Sequence, residues 1–322
     1  MDEFTLIAEL FAPLAAGFPG ALGLRDDAAL LDAVPGTQSV VTVDAMVAGV
    51  HFLPEDPPDL IARKLLRVNL SDLAAKGAEP FAVMLAAAFP RGVAEEWLRA
   101  FARGLGDDLQ EFGVHLIGGD TVATSGPLTL SLTAFGRVAT GAAILRSGAR
   151  PGDDVWVTGT IGDGALGLFA ARGELAVPPA HAAFLADRYR LPRPRVTAGP
   201  RFARFASAGM DISDGLVQDL GHLARASGVA AVIEAPHVPM SDAARAAVDA
   251  DHSRLATVLT GGDDYELLFT APTAVRHELL AEAADIFMPI ARIGRIEEGA
   301  GVKVIDASGR PLAVGLGGWR HF

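Results

Sequence analysis

Several aspartates occupy positions that an ordinary solvated turn does not need. Residues 209–216 read GMDISDGL, where Asp211 and Asp214 stand three residues apart between an apolar run and a helix-like stretch. Comparable settings are those of Asp27 in RDDAAL, Asp44 in TVDAMV, Asp72 in NLSDLAAKGA and Asp120 in LIGGDT. None of these stretches resembles a charged surface run, so the carboxylates are candidates for chemistry.

Carboxylates gathered in one cleft require positive partners. Two of them about 5 Å apart repel by roughly 3 kcal/mol at an effective dielectric near 20, and a domain is stable by only about 5–15 kcal/mol. A group of them must therefore be protonated or hold cations. Oxygen ligands select hard ions, so Mg²⁺ bridging the phosphates of a substrate is the natural inference.

Each aspartate also has an ordinary structural explanation. Asp72 could pair with Lys76 one helical turn later. Asp120 and Asp211 could cap helices, and Asp26 and Asp27 could lie in a turn. Taken one at a time these explanations are the commoner ones, and they stay open at this point.

Three familiar enzyme signatures are weak or missing. GDGALG at 162–167 matches the dinucleotide-binding glycine pattern, but the following HAAFLADRYRLPRPR does not read as the second strand that this fingerprint needs. The sequence has no Gly-Lys followed by Ser or Thr, as a phosphate-binding loop of that kind requires, and no H-E-x-x-H zinc pattern. The eight histidines are scattered, which predicts surface or core positions for each.

Strand and helix signals alternate along the chain. Residues 39–47 and 128–138 are β-branched and alternating, which predicts strands, whereas residues 59–78 and 95–113 have helical periodicity. The Gly-, Pro- and charge-rich stretch 146–154 is the best candidate boundary, and VWVTGT then begins a second α/β unit. We expect one domain over residues 1–140 and another over residues 147–322.

Composition limits the classes of partner. The 322 residues suit about two domains, half are hydrophobic, and none is cysteine, which excludes disulfides and thiolate chemistry. The net charge is −12 and only Lys64, Lys76 and Lys303 are lysines, so we expect no nucleic-acid partner. The longest apolar run, FAVMLAAAF, is too short to cross a bilayer, and MDEFTLIAELF has no basic leader; we expect no membrane partner and a cytoplasmic location.

Nine blocks in order carry a specific resemblance. They are RDDAAL, VTVDAMVAGVHF, NLSDLAAKGA, LIGGDT, LRSGARPGD, VTGTIGDGALG, DISDGLVQDLGHL, LTGGDDYELLF and the terminal GGWRHF. From about residue 3 to the last residue, the chain resembles the thiamine-monophosphate kinase family of the aminoimidazole-ribonucleotide-synthetase-like superfamily. The resemblance implies ATP-dependent phosphorylation of thiamine monophosphate to thiamine diphosphate, assisted by several Mg²⁺ ions and without a covalent enzyme intermediate.

The resemblance also implies a fold and an assembly. It implies a two-domain α/β and α+β chain with an N-terminal mixed-sheet α/β domain and a C-terminal α+β domain. The N-terminal sheets of a homodimer would close into a barrel, and ATP would lie in a groove between the domains.

By resemblance the site residues fall into three groups. Metal ligands would be Asp27, Thr42, Asp44, Asp72, Asp120, Asp211 and Asp214. ATP contacts would be Gly119, Asp120, Arg146 and Ser213, with Gly119 admitting phosphate to the backbone and Arg146 gripping phosphate as a planar fork. Contacts to thiamine monophosphate would be His51, Asp263 and Trp319, although Trp319 could equally be a core residue.

No general base is expected, because the acceptor phosphate has a second pKa near 6 and is already largely ionised at neutral pH. Three departures from the common family pattern are Arg25 before Asp26-Asp27, Val43 before Asp44, and Asp263 in place of a glutamate. Val43 therefore has no side-chain role, and the acid at position 263 is one methylene shorter.

Two other functions remain open from the sequence. One is a different reaction of the superfamily: aminoimidazole ribonucleotide synthesis, or chemistry on selenide or a carbamoyl group. The absence of cysteine argues against the selenide enzyme and against a modified cysteine tail. The other is a nucleotide-binding regulator without turnover, which the seven ligand-type side chains argue against.

Overall fold

The computed structural model describes residues 3–314, apart from the side chains of residues 3 and 4, and these residues form two compact units. Unit 1 holds residues up to 73 together with 78–141, and unit 2 holds residues 74–77 and those from 142 onward. Trp319 lies outside the described residues.

Unit 1 is built around a four-stranded mixed sheet of order β1-β4-β2-β3, in which β2 and β3 are parallel and the other pairs are antiparallel. The elements that begin in it are α1 (Glu3–Leu6), β1 (Thr37–Val47), α2 (Pro58–Ala75), β2 (Glu79–Pro90), α3 (Glu95–Phe112), β3 (His115–Thr124) and β4 (Thr129–Ala139). Short 3-10 and π turns form residues 7–15 and 19–24 between α1 and β1.

The sequence explains these elements locally. Strand β4 alternates between buried and half-buried residues, as a strand in a half-buried sheet does. Helix α3 begins with Glu95 and Glu96, which favour a helix N-terminus, and ends at Gly113 in the left-handed conformation of a common helix stop. The fully buried side chains of this unit include Leu66, Leu70, Phe101, Leu105, Leu130 and Leu132.

Unit 2 contains a six-stranded mixed sheet of order β10-β7-β9-β5-β8-β6, with β10 parallel to β7 and the remaining pairs antiparallel. Its strands are β5 (Asp154–Thr158), β6 (Ala208–Asp211), β7 (Ala230–Glu234), β8 (Leu267–Ala271), β9 (Ile290–Glu297) and β10 (Gly301–Ile305). Its helices are α4 (Asp163–Ala171), α5 (Pro179–Arg190), α6 (Ala198–Phe202), α7 (Leu216–Ser227), α8 (Asp242–Ala250), α9 (Arg254–Thr260) and α10 (Arg276–Asp285).

Two sequence expectations are settled by this element order. The strand-like and helical stretches form β1, β4, α2 and α3, with ends shifted by at most three residues. The glycine pattern at 162–167 forms the start of helix α4, and the next element is helix α5 instead of a strand, so the pattern does not begin a dinucleotide-binding unit. Within residues 3–314, no helix combines the length and apolarity needed to cross a bilayer.

Candidate metal and phosphate site

Strand β1 and helix α2 bring together the first group of predicted ligands. Thr42 and Asp44 are two residues apart and so share one face of β1, and Asn69 and Asp72 are one turn apart on α2. The Thr42 hydroxyl donates to Oδ2 of Asp72, and the Asp44 amide donates to Oδ1 of Asn69 at 3.2 Å. The group offers oxygen ligands, which suits a hard divalent cation.

Asp44 lies in an unfavourable environment for a bare carboxylate. Burial, and then the charge of Asp72, raise the pKa of Asp44 to about 6. A cation between these two carboxylates would remove the repulsion and restore the ionised form. These two carboxylates could hold an ion together, and the metal at this pair remains a prediction.

The fold gives contacts that bear on the ordinary structural explanations for two of these aspartates. Asp72 accepts from Thr42, and the ammonium of Lys76 donates to the carbonyl of Gly209 at 3.1 Å. Asp120 lies within β3, so it caps no helix. Asn69 was not predicted, and the signal that could have found it is its position one helical turn before Asp72.

A second group lines a cavity of about 120 Å³ within unit 1. Asp26, Asp27, Gly119, Asp120 and Thr121 lie on its wall. The remaining lining is largely apolar and comes from residues 7–29 and from β2 and β3. Three predicted residues thus meet at one cavity, which has an acidic side and an apolar side.

The structure gives a reason for glycine at position 119 that the sequence did not reveal. A Cβ atom at this position would stand 2.0 Å from the carbonyl oxygen of Leu85 on the neighbouring strand. The parallel pairing of β2 with β3 therefore requires glycine here. The predicted contact between Gly119 and phosphate remains a prediction.

The register of the sheet separates Asp44 from Asp120. Asp44 aligns across the sheet with Leu132, Leu85 and Gly119, whereas Asp120 aligns with Ala86. Because successive side chains of a strand point to opposite faces, Asp120 points away from the face that carries Asp44. Unit 1 thus presents two separate groups of predicted ligands.

In unit 2, the loop between β6 and α7 carries the third group. Asp211 ends β6 and is buried, and Ser213 and Asp214 follow in the turn before α7. Asp219, in the first turn of α7, accepts hydrogen bonds through Oδ2 from the amides of Ser213, Asp214 and Gly215 at 3.0–3.1 Å. Asp211 is therefore not the helix cap; Asp219 organises the turn instead.

Asp219 and His222 were not predicted as part of the site. Burial, and then the charge of Asp214, raise the pKa of Asp219 to about 7, against the lowering effect of its three backbone donors. Asp214, Asp219 and His222 each offer one ligand atom within 4.8 Å of the others. The signal for Asp219 is an acid in the first turn of a predicted helix; His222, one turn after Asp219, gave no signal by itself.

Asp263 is joined to the same turn through backbone hydrogen bonds. Its amide donates to the carbonyl of Ser213 at 2.8 Å, and the amide of Tyr265 donates to the carbonyl of Ile212 at 2.8 Å. The predicted acceptor contact Asp263 and the predicted nucleotide contact Ser213 are therefore neighbours.

Arg146 belongs to a segment fixed against β6. The amide of Gly209 donates to the carbonyl of Leu145 at 2.8 Å, and the Ser227 hydroxyl donates to the carbonyl of Arg146 at 3.1 Å. Arg146 is exposed, so its guanidinium is accessible to an anion in solution.

His51 and Val43 lie in unit 1. The amide of Val47 donates to Nδ1 of His51 at 3.0 Å, which places the proton of a neutral ring on Nε2. The Val43 side chain is 61% exposed and points to the face opposite Asp44, consistent with having no ligand role.

Comparison with known proteins identifies the family. The family model for the N-terminal domain of AIR synthase related protein matches residues 25–138 of this chain. The family model for its C-terminal domain matches residues 150–307. The thiamine-monophosphate kinase of Caulobacter vibrioides is 45% identical over 322 residues, which cover 99% of this chain and 90% of that protein. The chain belongs to the thiamine-monophosphate kinase family.

Solved structures of relatives agree with this family membership. The thiamine-monophosphate kinase from Stenotrophomonas maltophilia K279a is 42% identical with a TM-score of 0.86, over 97% of this chain and 98% of that one. The AaThiL complex with AMPPCP and TMP is 30% identical with a TM-score of 0.80, over 99% and 97% of the two chains. The expected family and the two-domain α/β fold with mixed sheets are confirmed.

Proposed function

We propose that this member of the thiamine-monophosphate kinase family transfers the γ-phosphoryl group of ATP to the phosphate of thiamine monophosphate and forms thiamine diphosphate. The observation that carries the proposal is the paired Asp44 and Asp72 with Thr42, an oxygen ligand set on β1 and α2 whose carboxylates need a cation. The relative bound to AMPPCP and TMP supports the two substrate classes.

The metal set is proposed to consist of several Mg²⁺ ions. Thr42, Asp44 and Asp72 form one group of ligands, Asp27 and Asp120 a second, and Asp211 and Asp214 a third. Bound Mg²⁺ would neutralise the charge that builds on the transferring phosphoryl group. The oxygen-rich donors of the first two groups match the preference of this ion.

The remaining chemistry needs positioning more than proton transfer. Gly119, Asp120, Arg146 and Ser213 are proposed to hold the nucleotide, and the planar guanidinium of Arg146 suits two phosphate oxygens at once. The acceptor phosphate attacks in line. Because it is already ionised, none of the residues is assigned as a base.

His51, Asp263 and Trp319 are proposed to bind thiamine monophosphate. The Val47 amide fixes the His51 ring with its proton on Nε2, so that this nitrogen can donate to the acceptor. A carboxylate at Asp263 suits a cationic, amino-bearing heterocycle such as thiamine.

We also propose that the enzyme is a homodimer joined through unit 1. Strand β1 is an edge of the four-stranded sheet, and Val41 and Val43 on its outer face are 56% and 61% exposed. Apolar side chains on an open edge strand favour pairing with another chain. Closure of two such sheets into a barrel is the arrangement proposed from the family resemblance.

A single assay tests the reaction. The purified chain is incubated with Mg²⁺, ATP and thiamine monophosphate, and thiamine diphosphate and ADP are quantified together. Parallel incubations replace thiamine monophosphate by formylglycinamidine ribonucleotide, selenide or a carbamoyl donor. We expect stoichiometric thiamine diphosphate and ADP with thiamine monophosphate alone; turnover of another acceptor, or none with any, would refute the proposal.

A further inference from the structure

The segment Gly262–Glu266 has an unusual backbone. Asp263 has φ = 62° and Tyr265 has φ = 52°, so two residues with side chains adopt the left-handed conformation within three positions. Such conformations are unfavourable for residues other than glycine and persist where surrounding contacts enforce them, often at functional sites.

Asp264, between these two residues, anchors the segment. Its carboxyl group is 2% exposed and accepts from the amide of Gly162 at 2.8 Å and from that of Gly164 at 3.0 Å. A Cβ atom on Gly164 would stand 2.1 Å from the carbonyl oxygen of Asp263, so the two loops are in close backbone contact. The conformation at 263 and 265 is therefore imposed by buried polar bonds.

The imposed conformation brings the Tyr265 phenol back onto the preceding acid. The Tyr265 hydroxyl donates to Oδ1 of Asp263 at 3.1 Å, although the two residues are only two positions apart. On an extended strand, residues i and i+2 point to the same side and run parallel to each other. Here the two left-handed residues form a turn, and the phenol folds back onto the carboxylate. The bond ties one carboxylate oxygen and so sets the direction of the other.

We propose that Tyr265 is a positioning residue for the acceptor: its hydroxyl orients the Asp263 carboxylate that binds thiamine monophosphate. This inference rests on the proposed function, in which Asp263 contacts the acceptor. An aspartate is one methylene shorter than a glutamate and can adjust its reach less, so the direction in which the Tyr265 bond holds its carboxylate matters for acceptor binding. Tyr265 acts through Asp263 and takes no part in proton transfer.

The chain offers a matched control, because it has two tyrosines. Tyr189 on α5 is 3% exposed and lies in the same unit. Tyr265→Phe and Tyr189→Phe each delete one hydroxyl and keep the ring. Both variants are compared with the wild type in thermal melts, in steady-state kinetics and in calorimetric titration with thiamine monophosphate.

We expect Tyr265→Phe to raise the KM and the Kd for thiamine monophosphate about tenfold, the effect of losing one hydrogen bond to a charged group. The KM for ATP and the melting temperature should stay near those of the wild type. Tyr189→Phe should leave both KM values unchanged. A merely structural role for Tyr265 would lower the melting temperature and leave the KM for the acceptor unaltered, which would overturn the inference.

A double-mutant cycle tests the route of the effect. If Tyr265 acts through Asp263, then Tyr265→Phe adds no further loss of acceptor binding in an Asp263→Ala background. Additive losses would overturn the inference. If the wild type makes thiamine diphosphate and Tyr265→Phe has the same KM and Kd for thiamine monophosphate, this inference alone is refuted. If the wild type neither binds nor phosphorylates thiamine monophosphate, the proposed function is refuted with it.

Discussion

Two carboxylates of unit 1 show how the same residue type serves different purposes. Asp108 on α3 is fully buried and accepts from Arg63 at 2.7 Å and from Arg67 at 2.5 Å, so its charge is compensated within the fold. Asp72 on α2 is half-buried and lies beside a second acid, Asp44. The first arrangement balances its charge within the fold, whereas the second is proposed to be completed by a cation.

The substitution Asp72→Asn separates these roles. We expect the metal-free variant to melt at the same temperature as the wild type or higher, because one charge of a repelling pair is gone. Its kinase activity should fall by at least two orders of magnitude with the loss of a phosphate-bridging ion. Thermal melts with and without Mg·ATP, together with the assay for thiamine diphosphate, measure both effects.

The control is Asp108→Asn, which leaves two arginines without their buried partner. We expect it to lower the free energy of unfolding by about 3–5 kcal/mol and to retain activity per folded molecule. An Asp72→Asn protein that is destabilised but active would contradict the metal assignment.

The raised pKa of Asp44 predicts a pH dependence of the metal-free protein. The pKa is about 6 in the folded state against 3.8 as the ordinary value, so between these values the folded state holds a proton that the unfolded state has released. Stability contributed by this group therefore falls as the pH rises from about 4 to 6, by about 2–3 kcal/mol in all. Urea denaturation of the wild type and of Asp44→Asn across this range should show a difference that changes with pH; a constant difference would contradict it.

At the scale of elements, the predicted site residues depend on how the loops next to α7 and α9 are held in place. The turn before α7 is built on three amides that converge on Asp219, and the segment after α9 is pinned by Asp264. In both cases a buried carboxyl group binds backbone donors, and the neighbouring aspartates that are predicted to bind ligands are thereby fixed. These loops are preorganised before any substrate arrives.

The turn before α7 can be tested with two variants of one residue. Asp219→Ala removes the acceptor of three amides, so we expect a loss of about 2–4 kcal/mol in the free energy of unfolding and faster hydrogen exchange at residues 213–215. Asp219→Asn keeps one oxygen for the same bonds, so it should lie much closer to the wild type. Urea denaturation and hydrogen exchange measure these outcomes, and equal damage in both variants would argue against a role through the backbone amides.

At the scale of the whole molecule, the open sheet edge at β1 and its exposed valines support the proposed dimer. We expect Val41→Glu to shift the proposed dimer toward monomer, with at least a tenfold higher dissociation constant, because a charge is placed at an apolar contact. Sedimentation over a range of micromolar concentrations measures the shift.

The control for that experiment is Phe287→Glu in unit 2, because Phe287 is the most exposed large apolar residue among the described residues, at 92%. This variant should sediment as the same assembly as the wild type. If the wild type sediments as a monomer, the proposed dimer is refuted. If Val41→Glu forms the dimer as tightly as the wild type does, β1 is not part of the interface.

The sequence by itself determined the periodic elements and the residue types of the predicted ligands. The alternation of β1 and β4 and the helical spacing of α2 and α3 are local properties, set by a few neighbouring residues, and the structure agrees with them. The type and setting of the aspartates were enough to predict an oxygen-rich site, and nine ordered blocks were enough to predict the family. These signals need no knowledge of which elements meet.

Only the tertiary structure decided which of these residues meet. The pairing of Thr42 with Asp72, the three amides on Asp219 and the Tyr265–Asp263 bond join positions whose proximity depends on sheet register, helix packing and backbone twist. Register also placed Asp44 and Asp120 on opposite faces and required glycine at position 119. A shift of one residue in a strand reverses its faces, so contacts of this kind are fixed by long-range packing and cannot be read from local sequence.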